Sequence, residues 1–499
     1  ETGPLVVDPR FIHRTPKVSR DGARLAYATN RRNGRDFDVF VRELATGSER
    51  AVFGGGWCEV DGFSPDGRRL AVRRETEEAG DNELWLVDLE TGAATEVSPH
   101  EDGAAIGAPA WTADGGFLVA SSAGRDLRAI LRDGIEPVLE SGWDLECWTD
   151  REGRALLVEA NEDGYSRLEL RDALSLELRA EVPLPGRGVV EHPVFSPDGS
   201  RLWFSFSSPV LPPDVWLWED GALSRLTDAG APTGLREPEL CRYDSHDGLS
   251  VPYFLWEPDG GGPFPVVVTV HGGPEAQYRP AWLPSFTPLT QHLVSRGYAV
   301  AAPNVRGSSG YGKRYEHLDD GRLRLDSVRD LAALHAALTV RPRIDGSRAV
   351  LYGRSYGGYM VLAGLAFQPE LWAAGVESVG ISNLVTFLEN TADWRRAVRE
   401  REYGRLDLDR AFLLDASPLT HVDAIRAPLF VQHGAHDPRV PLSETQQIHD
   451  VLAEKGIRCE LLVHDDEGHA IGKLANRVET FERAVAFLES VLGGVGARR

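Results

Sequence analysis

The sequence predicts two domains of different class: an all-β propeller of about five blades over residues 1–235, then an α/β domain over residues 236–499. Three observations predict this. A turn-and-strand motif recurs five times in the first half. Apolar strand runs alternate with helical patterns in the second. A G-x-S-x-G pentapeptide stands at one of the strand-to-helix junctions. A chain of 499 residues has room for about two to four domains, so neither part is crowded.

The repeat comes first. Residues 19–27 read SRDGARLAY and return as SPDGRRLAV at 64–72, TADGGFLV at 112–119, a weaker DREGRALL at 150–157, and SPDGSRLW at 196–203. The turn glycines Gly22, Gly67, Gly115, Gly153 and Gly199 lie 45, 48, 38 and 46 residues apart. Each Asp-Gly or Glu-Gly marks a tight turn between an incoming strand and a strand of apolar alternation. Every copy except the third is followed by a second strand pair with its own turn, as at Thr46-Gly47 and Thr91-Gly92. Four strands per unit at this period is the signature of a propeller, which a β-sandwich does not reproduce.

From about Arg236 the pattern changes. A strand pair around His246-Asp247-Gly248 leads through a Pro/Gly-rich stretch at 258–263 into the apolar run 264–270, which ends at His271. Strands at 298–303, 349–352, 375–379, 428–432 and 460–463 then alternate with helical patterns such as 325–338 and 442–455. This order implies a mostly parallel sheet with helices on both faces and function in the loops at the C-terminal strand ends.

Those loops hold the chemistry. Gly353-Arg354-Ser355-Tyr356-Gly357 follows the run 349–352 and opens a helical stretch, the setting of a nucleophile elbow that presents Ser355 at the top of a sheet. Alone the pentapeptide is a weak signal in a Gly-rich chain. A serine hydroxyl needs a base, and His469 in Asp465–His469 is the candidate, preferred to His464 because Gly468 lets its loop turn back over the sheet. Asp437, after the preceding strand, would orient the imidazole, and His433 and His436 read as packing groups. The backbone N–H groups of Tyr356 and of Gly273, in His271-Gly272-Gly273-Pro274, would receive the developing oxyanion. The order Ser355, Asp437, His469 is that of an α/β-hydrolase domain.

Taken together, the motifs HGGP (271–274), NVRGSSGYG (304–312), GRSYGG (353–358), His433-Gly434 with DPRVP (437–441), and EGH (467–469) resemble the prolyl oligopeptidase family of serine peptidases. The HGGP loop points to its acylaminoacyl-peptidase-like branch. The resemblance covers the whole chain, because that family places a propeller before an α/β-hydrolase domain. Two features depart from it. Five blades are fewer than the usual seven or eight, and Arg322-Leu323-Arg324 stands near where a Trp-Gly pair is common.

The resemblance implies a peptidase or amidase that takes short peptides or aminoacyl amides through an acyl-enzyme, as an aminopeptidase or acylaminoacyl-peptidase, with the propeller as a size filter. A carboxylesterase would share every catalytic residue, and an antibiotic-inactivating aminoacyl amidase is a specialised version. A propeller scaffold with a silent hydrolase domain is the reading outside enzymes. Arg439 is a candidate contact for a substrate carbonyl or carboxylate, with a surface salt bridge as the alternative. Trp394 and Tyr403 are candidates to line the acyl pocket, with core packing as the alternative.

Composition narrows the partners. Residues 1–235 carry 42 acidic and 25 basic side chains, and residues 236–499 carry 34 and 29, giving nets of −17 and −5. Such a field repels nucleic acid and anionic membranes. Cys58, Cys147, Cys241 and Cys459 have no metal-ligand spacing and read as buried free thiols, so no metal or cofactor is expected. No apolar run reaches the roughly 18 to 20 residues that span a bilayer, and no signal peptide is legible, which gives a cytoplasmic expectation. A homo-oligomer is compatible with the chain. Glu1-Thr2-Gly3, in place of an initiating Met, reads as a processed or appended start.

Overall fold

The computed structural model describes residues 8–493, so Glu1-Thr2-Gly3 lies outside the described residues. It contains two compact units. One runs to Phe206 and takes in Pro213–Ala229 and Gly310–Arg314; the other comprises Ser207–Pro212, Gly230–Ser309 and the chain from Tyr315 onward.

The first unit is a β-propeller of five four-stranded antiparallel sheets, each with its strands in chain order. The repeated turn builds the blades. In four of them a Ser or Thr hydroxyl donates to the Asp two residues on: Ser19 to Asp21, Ser64 to Asp66 and Thr112 to Asp114 at 2.6 Å, and Ser196 to Asp198 at 2.5 Å. The fourth copy lacks that hydroxyl, and Asp150 occupies its position. Its Oδ1 accepts from the N–H groups of Arg154 (2.6 Å) and Ala155 (2.7 Å) and holds the turn. All five turn glycines have φ between +67° and +88°, the left-handed region that other residues enter at a cost.

One expectation is corrected. The third blade does have a second strand pair, Ala129–Arg132 and Glu136–Leu139. The pair was hard to see because each strand has only four residues. It is joined through Asp133-Gly134, both with positive φ, as a tight hairpin turn requires.

The second unit is an α/β-hydrolase domain. Its strands are β1 (Glu239–Asp244), β2 (Ser250–Trp256), β3 (Phe264–Val270), β4 (Ala299–Pro303), β5 (Ile344–Arg354), β6 (Ala374–Ser378), β7 (Leu429–Gly434) and β8 (Cys459–His464). They form one sheet in the order β1-β2-β4-β3-β5-β6-β7-β8. Pairing is antiparallel at β1·β2 and β2·β4 and parallel from β4 to β8. The central strands are apolar on both faces because helices cover both: all seven residues of β3 are buried. Helix Tyr356–Phe367 is buried through eleven of its twelve residues, which explains its lack of a polar face. Of the four cysteines, all free, Cys58, Cys147 and Cys241 are buried and Cys459 is partly so.

Candidate active site

Strand β5 ends at Arg354, and the next residue turns the chain into helix Tyr356–Phe367. Ser355 makes that turn with φ +60° and ψ −119°, a backbone state costly for a residue with a Cβ. Close approach explains the flanking glycines. A Cβ on Gly353 would lie 2.2 Å from the Gly357 carbonyl oxygen, and one on Gly357 would lie 2.1 Å from that of Val270. The elbow is therefore pressed against the end of β3, where the chain continues into His271-Gly272-Gly273-Pro274. A Cβ on Gly272 would stand 3.5 Å from that of Ser355.

The HGGP loop is braced from below. His271 Nε2 lies 2.8 Å from the buried Ser308 hydroxyl, which donates to the Val305 carbonyl at 2.6 Å. Ser309 N–H donates to Ala276 O, and Tyr278 N–H to Asn304 Oδ1. The motif 304–309 is thus a support for this loop. Neither Gly273 N–H nor Tyr356 N–H, the first of its helix, has a hydrogen-bond partner among the described residues.

Asp437 and His469 come from the loops after β7 and β8 and meet. His469 Nδ1 lies 2.7 Å from Asp437 Oδ2, whose carboxylate is fully enclosed. Asp437 Oδ1 accepts from the N–H groups of Arg439 (2.8 Å) and Val440 (3.1 Å). Burial would push this carboxyl up, but the bond to His469 and these N–H groups hold it below its ordinary value. Burial pushes His469 below its ordinary value despite the opposing pull of Asp437. A neutral imidazole that donates from Nδ1 keeps a lone pair on Nε2, as a base requires.

The two loops are stitched together. His436 N–H donates to the Glu467 carbonyl, and the Glu467 side chain accepts from the N–H groups of Gly472 and Lys473 at 2.9 Å. Arg354, from the elbow, donates to the His469 carbonyl. No hydrogen bond joins Ser355 to His469 among the described residues; the observed pairing is between Asp437 and His469. Catalytic bonds of this kind often tighten only with substrate bound.

The other candidates separate. His464 is buried with Nε2 2.9 Å from Thr480 Oγ1. His433 is enclosed between Thr445 Oγ1 and the Val440 carbonyl. Arg439 is exposed, and its guanidinium makes no ion pair among the described residues. Trp394 and Tyr403 lie on helix Asp393–Tyr403; Trp394 is partly buried, whereas Tyr403 is 1% exposed and packs against Arg324. Sequence reasoning missed Arg399, which donates to the Gly273 carbonyl at 3.2 Å and pairs with Glu275. The one signal for it was a carboxylate placed directly after HGGP.

The fold and this loop cluster define the class: a propeller joined to an α/β-hydrolase domain with a serine elbow. Residues 284–495 match the family model described as the prolyl oligopeptidase family. It is 34% identical over 242 residues to dipeptidyl aminopeptidase BIII of Pseudoxanthomonas mexicana, covering 46% of this chain and 34% of that protein. It is 26% identical over 268 residues to the acylamino-acid-releasing enzyme of Sus scrofa, covering 52% and 36%. The matches thus span about a third of these relatives' own length. Among solved structures, a puromycin-hydrolyzing peptidase of Mycobacterium tuberculosis superposes with a TM-score of 0.86 at 23% identity, covering 97% of this chain and 79% of that one.

Proposed function

We propose that this protein is a serine peptidase or amidase that hydrolyses short peptides or aminoacyl amides through an acyl-enzyme. The 2.7 Å pairing of His469 with Asp437, in loops that Arg354 ties to a strained Ser355, is the observation that carries the reading. Ser355 Oγ attacks the substrate carbonyl while His469 Nε2 takes its proton. Asp437 holds the imidazole tautomer and stabilises the imidazolium. The oxyanion accepts from the N–H groups of Gly273 and Tyr356, the latter at a helix N-terminus where the peptide dipoles favour negative charge. His469 then returns the proton to the leaving amine. Water, activated by the same base, releases the acid and restores Ser355.

Dipeptidyl and acylamino-acid-releasing relatives support amide substrates with a short acyl part, and a length series of peptides tests that limit. A carboxylesterase would use the same atoms. A comparison of p-nitrophenyl acyl esters with aminoacyl p-nitroanilides separates the two: turnover of both classes supports the amidase reading, whereas cleavage of esters alone replaces it.

A further inference from the structure

The α/β-hydrolase unit contains a buried ionic cluster that the proposed mechanism does not use. Arg324, with no exposed side-chain area, donates one nitrogen to Asp319 and another to Glu402, both equally enclosed. Its guanidinium lies close to two aromatic rings, 5.2 Å from the Tyr356 centroid and 4.8 Å from that of Tyr403. The Tyr356 hydroxyl lies 2.8 Å from Asp319 Oδ2 and 2.9 Å from Ser327 Oγ. On the same helix as Glu402 and one turn earlier, Arg399 donates to the Gly273 carbonyl at 3.2 Å and pairs with both oxygens of Glu275 at 3.2 and 3.3 Å. The helix Asp393–Tyr403 therefore reaches both candidate oxyanion donors, Gly273 through Arg399 and Tyr356 through Glu402, Arg324 and Asp319.

We propose that this helix is a strut that fixes the separation of the Gly273 and Tyr356 N–H groups, with Arg399 and Arg324 as positioning residues for the oxyanion hole. The inference rests on the serine hydrolase reading above. Its physical basis is stiffness. A fully buried guanidinium paired with two carboxylates resists moving, because breaking a buried ion pair would leave each charge unpaired. Gly273 needs such an outside restraint. It is exposed, has φ +144°, and lacks a side chain with which to fix itself. Asp319, Asp320 and Glu402 bring oxygens within 4.8 Å of one another. Arg324 already occupies two of these three carboxylates, which makes a guanidinium, and not a metal ion, the centre of the cluster.

The test measures kcat per active site, with sites titrated to completion by a fluorophosphonate, together with inhibition by a peptidyl trifluoromethyl ketone. Arg399→Met should lower kcat per titrated site by about 10- to 100-fold with KM nearly unchanged, and should weaken the ketone by a similar factor. Arg399→Lys, which keeps a donor for Gly273 O, should recover part of both. Arg324→Lys should lose activity in the same pattern. If either arginine variant fails to fold, Tyr356→Phe deletes only a hydroxyl, and about a 3- to 10-fold loss is expected there. Wild-type kcat per titrated site and wild-type ketone affinity in every folded variant, with losses only in melting temperature, would overturn the strut. Absence of labelling at Ser355 in the wild-type protein would overturn the hydrolase reading itself, and the strut with it.

Discussion

At the residue scale, the proposal depends on atoms that can be deleted one at a time. His469→Ala should lower kcat by about 10⁴-fold or more, because Ser355 then has no base. His464→Ala should leave kcat within a few-fold while costing on the order of 2 kcal/mol or more of stability, since it empties a buried site and loses the bond to Thr480. Exchange of those two outcomes in a kinetic and denaturation series would contradict the assignment. The same histidine fixes the pH response. His469 must be neutral to accept a proton, and burial lowers its pKa, so protonation sets in only below its ordinary range. The acid limb of kcat/KM should therefore have its midpoint below about 6.5. Arg439 also pushes His469 down, so Arg439→Ala should move that limb upward. A limb above the ordinary histidine value, or one unmoved by Arg439→Ala, would argue against this electrostatic account.

Elements were legible where local chemistry decides them. The pattern at 325–338 became the helix Arg324–Thr339, and the run 460–463 became the strand Cys459–His464. Both are periodic apolar segments bounded by turns, which sequence reading detects well. The third blade's second hairpin escaped because four-residue strands offer too few alternations to count. The charged cluster escaped for a different reason. Arg324, Glu402 and Arg399 look like solvated helix faces in the sequence, and only tertiary packing buries them. At this scale the elbow gives a clear prediction. Gly357→Ala places a Cβ 2.1 Å from the Val270 carbonyl oxygen, which is rigid backbone, so either strand β3 or the elbow must shift. A loss on the order of 2 kcal/mol or more is expected, with most of the activity. A denaturant midpoint and kcat both equal to wild type would show that the elbow is looser than described.

For the whole molecule, net charge is the property that no single site carries. The chain has a formal net charge of −22, which concentrates cations near its surface. Substrates with a free, charged N-terminus should therefore be cleaved faster than N-acetylated ones at low salt, and the advantage should shrink as salt is added, since exposed charges beyond about 10 Å are largely screened near 0.1 M. The measurement is kcat/KM for alanyl and acetyl-alanyl p-nitroanilide at two ionic strengths. Faster cleavage of the acetylated substrate at both would remove the steering argument. The central claim, that Ser355 is an activated nucleophile, has a more direct test. The intact protein is labelled with a fluorophosphonate and the modified peptide is mapped, with Ser355→Ala as the control. A single label on Ser355, lost in Ser355→Ala while the variant keeps its melting temperature, is the predicted result; no label, or the same label in the variant, would contradict it.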